Sequence, residues 1–182
     1  MKVDILAFGA HPDDVELGCG GSICSAISQG FKVGVVDLTH GELGTRGTPE
    51  VRKKESDKAS EILGVSFRKN LGFKDGFFIN NKEHQLKVVE LLREHRPSIV
   101  LCNAIKDRHI DHPKGSKLVS DASFLSGLSK IKTNYENSTN QLPWTPKKVY
   151  HYIQWYDIEP NLVIDISDFQ EKKMRAIMAY ES

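Results

Sequence analysis

The chain alternates between short, mostly apolar segments and longer segments whose apolar residues recur at helical spacing. The predicted strands lie at residues 3–8, 31–38, 65–69 and 98–104. The second of them is mostly apolar, as expected for a strand covered on both faces of a sheet. The predicted helices span about residues 14–29, 49–63 and 83–95, and a fourth follows the polar cluster at 106–112 and ends near residue 128.

Local signals support some of these boundaries and extend the pattern to the end of the chain. Thr48 and Pro49 suit the N-cap and first turn of the second helix, and Gly64 suits its C-terminal end. Beyond the fourth helix, the pattern predicts a long polar loop at 129–147, strands at 148–156 and 161–166, and a closing helix at 168–180.

Strands that alternate with helices predict βαβ units. The expected fold is therefore α/β, with a Rossmann-like, mostly parallel sheet and helices on both faces. A length of 182 residues, without an internal repeat or a linker, predicts a single domain over residues 1–182. In such sheets ligands bind at the carboxyl ends of the strands, so the active site is expected at that edge.

Polar side chains follow four of the predicted strands. They are His11, Asp13, Asp14, residues 39–42, Asp75, His109, Asp111 and His112. Because the carboxyl ends of parallel strands meet at one edge, these groups are expected to converge there.

Composition excludes several classes of partner. The 25 basic and 24 acidic residues leave no excess charge to attract a nucleic acid or an anionic membrane surface. No apolar run reaches the roughly 20 residues that span a bilayer, and the N-terminus enters a strand without a signal-peptide pattern. Three cysteines without a C-x-x-C pair are interpreted as free thiols, which favours a cytoplasmic protein.

The two His/Asp clusters suit a catalytic metal. Two imidazoles and one carboxylate with an open fourth position form a catalytic zinc pattern, and His11, Asp14 and His112 are assigned as these ligands. Asp13 is then a spare carboxylate suited to general-base work. His109 and Asp111 form a second pair, in which the carboxylate favours an imidazolium that stabilises an oxyanion.

Each feature also has an ordinary structural interpretation. A lone aspartate at a helix start is usually an N-cap, and an isolated histidine is usually a surface or hydrogen-bonded residue. Gly18, Gly20 and Gly21 suggest a dinucleotide loop, but they lie within the predicted first helix and G-x-G-x-x-G is absent. Two His/Asp clusters at neighbouring strand ends make the ordinary interpretation weaker than the metal site.

The segment AHPDDVELGCGG, residues 10–21, resembles the A-H-P-D-D-x-E signature of the LmbE-like, or PIG-L, family of zinc-dependent N-deacetylases. The resemblance covers essentially the whole chain, through THGELGTRGT (39–48), RKKE (52–55), LGFKDG (71–76), RHIDH (108–112) and AYES (179–182). The chain looks closest to the branch that deacetylates N-acetylglucosaminyl-malate in bacillithiol biosynthesis.

The resemblance implies a role for each matching residue. The family's metal ligands fall on His11, Asp14 and His112. They would bind one zinc ion per chain, or another divalent ion in the cell. Its general base falls on Asp13, and its oxyanion-stabilising histidine and that residue's partner fall on His109 and Asp111. Its substrate contacts fall on Arg52 and Asp75, with Glu42 in the matching loop.

The resemblance also implies an amino-sugar substrate and a homo-oligomer, often a hexamer. The chain departs from the family pattern at Ile110, where many members have proline, and at Thr145, where arginine is common. Members usually continue beyond the position of Ser182, so a C-terminal segment is expected to be missing. The alternatives are a metal-dependent hydrolase of another amino sugar, amide or ester, and a sugar- or metal-binding relative without catalysis.

Overall fold

The computed structural model describes residues 1–135 and 139–182. The strands are β1 (Ile5–Gly9), β2 (Val33–Thr39), β3 (Phe67–Phe73), β4 (Ile99–Cys102), β5 (Asn134–Tyr135), β6 (Thr139–Asn140) and β7 (Lys148–His151). The α-helices are α1 (Asp14–Ser28), α2 (Pro49–Leu63), α3 (Lys82–His95), α4 (Asp111–Leu125) and α5 (Gln170–Ile177), and a 3₁₀ turn at Ser167–Phe169 precedes α5.

Five strands form the main sheet, in the order β3-β2-β1-β4-β7, and all four pairings are parallel. This confirms the predicted α/β fold with a parallel sheet. The order reverses at β1, because β2 and β3 extend to one side of it and β4 and β7 to the other. Such a switch creates a crevice beyond the carboxyl ends of the two central strands, here β1 and β4.

Helices cover both faces of the sheet. Alternate residues of β1 point to opposite faces, so Leu6 and Phe8 pack in the core beneath α3 and α4, whereas Ile5 and Ala7 pack beneath α1. The helices α2 and α5 pack beside α1. A strand covered on both sides must be apolar at every position, which explains the continuous apolar pattern of residues 5–8.

The ends of α2 follow the predicted local signals. The Thr48 side chain accepts a hydrogen bond from the backbone N–H of Val51, and Pro49 is the first helical residue. Gly64 closes the helix with φ +83°, a left-handed conformation that glycine adopts without steric cost.

The late part of the chain differs from the prediction. Strand β7 ends at His151 instead of residue 156, because its partner strand β4 ends at Cys102. The next side chain, Tyr152, lies in the core, where its hydroxyl donates to the Phe8 carbonyl at 2.8 Å. Residues 161–166 carry strand-like apolar residues but form no strand, and Val163 is 77% exposed. Among the residues that the structure describes, no strand pairs with this segment.

The polar segment 129–147 is not entirely a loop. Its strands β5 and β6 pair antiparallel. The part of the predicted loop at 136–138 lies outside the described residues.

Gly18 lets α1 lie directly against Tyr152. A Cβ at this position would be 2.3 Å from Tyr152 Cδ2, whereas a Cβ at Gly20 would meet nothing closer than Lys173 Cγ at 3.6 Å. The GCGG segment is therefore a packing feature of a helix, in agreement with the rejection of a dinucleotide loop.

A group of buried charges lies between β2, β3 and α1. The Arg68 guanidinium binds Asp37 through two hydrogen bonds of 2.7 and 2.8 Å, and it also donates to Glu16. The Tyr180 hydroxyl donates to the same Glu16 carboxylate at 3.1 Å. Burial raises the pKa of Asp37, and the Arg68 charge opposes that rise.

The three cysteines are buried and form no disulfide. In the ranges 1–135 and 139–182, none of the helices has both the length and the apolar character needed to cross a bilayer.

Candidate active site

A cavity of about 800 Å³ opens beyond the carboxyl ends of β1 and β4. It lies where the strand order reverses, as expected for a ligand site in an open α/β sheet. The structure brings seven of the nine predicted site residues to its wall: His11, Asp13, Asp14, Arg52, Asp75, His109 and His112.

Asp14 lies between two histidine rings at the floor of the cavity. His11 Nδ1 is 3.5 Å from Asp14 Oδ2, and His112 Nε2 is 3.1 Å from Asp14 Oδ1. The opposite ring nitrogens bind carboxylates, with His11 Nε2 3.0 Å from Asp75 Oδ1 and His112 Nδ1 2.9 Å from Asp107 Oδ1. Histidines that ligate metals are typically oriented in this way, with the distal nitrogen held by a carboxylate.

Further hydrogen bonds fix the Asp14 carboxylate. It accepts the backbone N–H of His11 at 2.9 Å and the side-chain amides of Asn103 and Gln154, each at 3.0 Å. Burial alone would raise the pKa of Asp14, but hydrogen bonds from His11 and His112 hold it well below its usual value. Asp14 is therefore an ionised, fully oriented carboxylate.

Other combinations of side chains also bring ligand atoms together. His11, His109 and His112 offer ring nitrogens within 4.8 Å of one another, and so do the ligand atoms of His11, Asp75 and Asp111. His11 belongs to both groups. The third ligand beside His11 and His112 is thus a choice between Asp14, which both rings face, and His109.

Asp13, at the start of α1, has a strained backbone conformation. It is the N-cap of α1 with φ +110° and ψ −30°, a left-handed conformation that is unusual for a non-glycine residue, and its side chain does not cap the helix. Burial, together with the neighbouring Asp14 charge, raises the pKa of Asp13 to about 7. A carboxylate with a pKa near neutrality suits a general base.

The predicted side-chain pair of His109 and Asp111 is not observed. The Asp111 carboxylate accepts from the Gly76 backbone N–H at 2.6 Å and from Lys114 Nζ at 2.9 Å, because Asp111 begins α4 and Lys114 lies one turn later. It is the Asp111 backbone N–H that donates to His109 Nδ1, at 3.3 Å. This contact places the His109 proton on Nε2.

The surroundings of His109 affect its pKa. Burial and the nearby positive charges of His11 and His112 lower the pKa of His109. With its Nδ1 facing the Asp111 backbone N–H, His109 can donate through Nε2, and the imidazolium expected from the sequence stays a prediction.

Arg52 reaches the cavity through the glycine-rich loop after β2. A Cβ at Gly44 would be 2.4 Å from one Arg52 terminal nitrogen, and a Cβ at Gly41 would be 2.9 Å from the other. Side chains at these positions would displace the guanidinium. Arg52 Nε is buried and has no hydrogen-bond partner among the described residues.

Asp75 contacts both His11 and Glu42. Asp75 binds His11 through Oδ1, and its Oδ2 accepts the Leu43 backbone N–H at 3.0 Å. The exposed Glu42 accepts the Asp75 backbone N–H at 2.9 Å. Glu42 and Asp111 are the two predicted site residues that do not line the cavity, and each contacts a loop that does.

Sequence reasoning missed three residues that support the site. Asp107, Asn103 and Gln154 bind the side chains of the predicted ligands. Asp107 lies in the same polar cluster as His109 and offered a signal. The only sequence signal for Gln154 was a polar residue inside an apolar run. Its role depends on the pairing of β7 with β4.

The model of the PIG-L family, described as GlcNAc-PI de-N-acetylase, matches residues 6–123. The chain belongs to this family. The PIG-L match covers both His/Asp clusters and the loops between them. The chain is 31% identical to the diacetylchitobiose deacetylase of Thermococcus kodakarensis, over 98% of this chain and 69% of that protein.

Two further comparisons agree with this membership. The crystal structure of the conserved protein TT1542 from Thermus thermophilus matches with a TM-score of 0.91 and 40% identity, over 99% of this chain and 79% of that one. The probable N-acetyl-α-D-glucosaminyl L-malate deacetylase 2 of Bacillus cereus is 25% identical, over 100% of this chain and 84% of that protein. The chain described here is thus a deacetylase of the PIG-L family, and both curated relatives named above are deacetylases of substrates of the N-acetylglucosamine type.

Proposed function

We propose that this chain is a zinc-dependent hydrolase that removes the acetyl group from the nitrogen of an N-acetylglucosaminide and releases acetate. One observation carries the proposal. Two histidines face one carboxylate at the floor of a cavity, and a carboxylate holds the far side of each ring.

The donor set fits zinc. We assign His11, Asp14 and His112 as ligands of one ion per chain, because mixed imidazole and carboxylate ligands with an open position are typical of catalytic zinc. Other divalent ions accept the same donors. A bound ion would polarise the amide carbonyl and lower the pKa of a water molecule.

Asp13 is assigned as the general base. Its pKa of about 7 lets it accept a proton from water near neutral pH, and either Asp13 or His109 then returns a proton to the leaving amine. Asp13 has a left-handed backbone conformation and lines the cavity beside Asp14.

His109 is assigned as the oxyanion donor. Its Nε2–H is free to donate, because the Asp111 backbone N–H occupies Nδ1. A neutral donor held in advance stabilises a developing negative charge without reorganisation. Asp111 contributes by fixing this orientation.

Arg52 is assigned to the substrate, since its side chain lies in the cavity wall. Asp75 and Glu42 are assigned to the same side of the site. The Asp75 oxygens already bind His11 and Leu43, so contact with a sugar hydroxyl requires their remaining lone pairs.

Malate and a second sugar are the two candidates for the group that is attached to the N-acetylglucosamine in the substrate. Malate follows from the sequence motifs and from the similarity to the Bacillus cereus protein. A second N-acetylglucosamine follows from the higher identity to a diacetylchitobiose deacetylase. The net charge of +1 gives little general attraction for the two carboxylates of malate, so selectivity for malate must rest on local cations such as Arg52.

The test is acetate release by zinc-reconstituted protein from N-acetylglucosamine, N-acetylglucosaminyl-malate and N,N′-diacetylchitobiose. We expect chelation to abolish release and zinc to restore it. Higher kcat/KM for the malate conjugate than for the other two would support the malate assignment, and equal rates on all three would indicate a general amino-sugar deacetylase. Metal binding without acetate release from any of them would favour a non-catalytic sugar-binding protein.

A further inference from the structure

Two loops are joined along one side of the cavity. Asp107, in the loop after β4, accepts the backbone N–H of Trp155, in the segment after β7, at 2.8 Å. The Arg108 guanidinium carbon lies 4.7 Å from the centre of the Trp155 ring, and Lys106 Nζ lies 5.8 Å from the centre of the Tyr156 ring. One hydrogen bond and two cation–π contacts therefore fix the position of this rim.

The Trp155 ring is fixed in place yet remains in solvent. It lines the cavity together with Arg108 and His109, but it is 67% exposed. Arg108 covers part of the ring, and the rest offers apolar surface beside a polar cavity. Exposing a large aromatic ring forgoes the stabilisation that burial would supply, so a ligand that covers the ring gains that free energy on binding.

We propose that Trp155 and Arg108 form a subsite for a second sugar ring, attached to the N-acetylglucosamine whose amide is cleaved. This inference rests on the proposed deacetylase function. The indole would stack on the C–H face of the second ring, and the Arg108 guanidinium would donate hydrogen bonds to hydroxyls at its edge. Rigid aromatic rings suit such contacts, because little side-chain entropy is lost on binding.

The other side chains of this part of the wall favour a ring over a small acid. Ile110 and Ile153 also line the cavity and are exposed, so the rim beside Arg108 offers mainly apolar surface. A malate group has two carboxylates and no ring, and it would leave the indole uncovered.

The first test compares kcat/KM for N,N′-diacetylchitobiose with that for N-acetylglucosamine. Trp155→Ala should lower this ratio about 5- to 10-fold, the effect of losing about 50 Å² of buried apolar surface. Tyr156→Ala is the matched control, because Tyr156 makes a similar cation–π contact but does not line the cavity. An unchanged ratio in Trp155→Ala would overturn the proposal, and so would an equal loss with N-acetylglucosaminyl-malate.

The second test does not depend on activity. Trp155 and Trp144 are the two tryptophans of the chain. In metal-free protein, N,N′-diacetylchitobiose should shift the tryptophan emission to shorter wavelength, and Trp155→Phe, which keeps Trp144, should lose the shift. If the wild-type protein shows the shift but deacetylates neither sugar, the subsite stands and the proposed function fails. Absence of the shift would overturn the subsite, as would a change of oligomeric state in Trp155→Ala, which would assign the ring to a contact between copies.

Discussion

Replacing Gly18 by alanine should destabilise the protein, although alanine is the better helix former. The substitution gains about 1 kcal/mol of helix propensity. The new Cβ would, however, lie within 3 Å of three ring atoms of the buried Tyr152. The ring must then move, at a cost of about 1–3 kcal/mol for overpacking. A shift that breaks its 2.8 Å hydrogen bond to the Phe8 carbonyl costs about 1 kcal/mol more.

Gly20→Ala is the matched control for this prediction. It lies in the same helix and gains the same propensity, but its Cβ would meet only ordinary contacts. The difference between the two variants isolates the clash, and we expect Gly18→Ala to be less stable than Gly20→Ala by about 2–4 kcal/mol. Urea unfolding followed by circular dichroism measures this difference at equal m-values. Equal stability of the two variants would refute the close packing of α1 on Tyr152.

Three further predictions concern the site and the buried charges. Asp13→Asn should keep its zinc and lose about 10²–10⁴-fold in kcat for acetate release; loss of zinc would instead make Asp13 a ligand. His112→Ala should lose zinc, measured by metal analysis after dialysis, whereas His109→Ala should keep it, and loss from both would make His109 the third ligand. Arg68→Met should lower the free energy of unfolding by about 3–5 kcal/mol, because Asp37 is left buried without its cation; urea unfolding without that loss would contradict the role given to the buried pair.

The sequence predicted correctly those elements whose boundaries are determined by residues nearby in the chain. The α2 boundaries follow from Thr48, Pro49 and Gly64, whose effects on the backbone do not depend on distant residues. The convergence of His11 and His112 followed from one general rule about parallel sheets.

The missed features depend on contacts between distant segments. Residues 161–166 have the apolar pattern of a strand, but a pattern cannot supply a partner strand. The orientation of the Asp111 carboxylate toward Gly76 and Lys114, rather than toward His109, depends on how a separate loop lies against α4. Gln154 reaches Asp14 because β7 pairs with β4, which places the segment after β7 beside Asn103 at the end of β4.

Asp107 has a thermodynamic consequence that follows from its three partners. One oxygen binds His112 Nδ1 and the His109 backbone N–H, both at 2.9 Å, and the other binds the Trp155 backbone N–H at 2.8 Å. The same carboxylate therefore positions both the proposed ligand His112 and the segment that carries Trp155. Thermodynamic linkage is reciprocal. If bound zinc raises the affinity for a sugar on the rim by some factor, that sugar raises the affinity for zinc by the same factor.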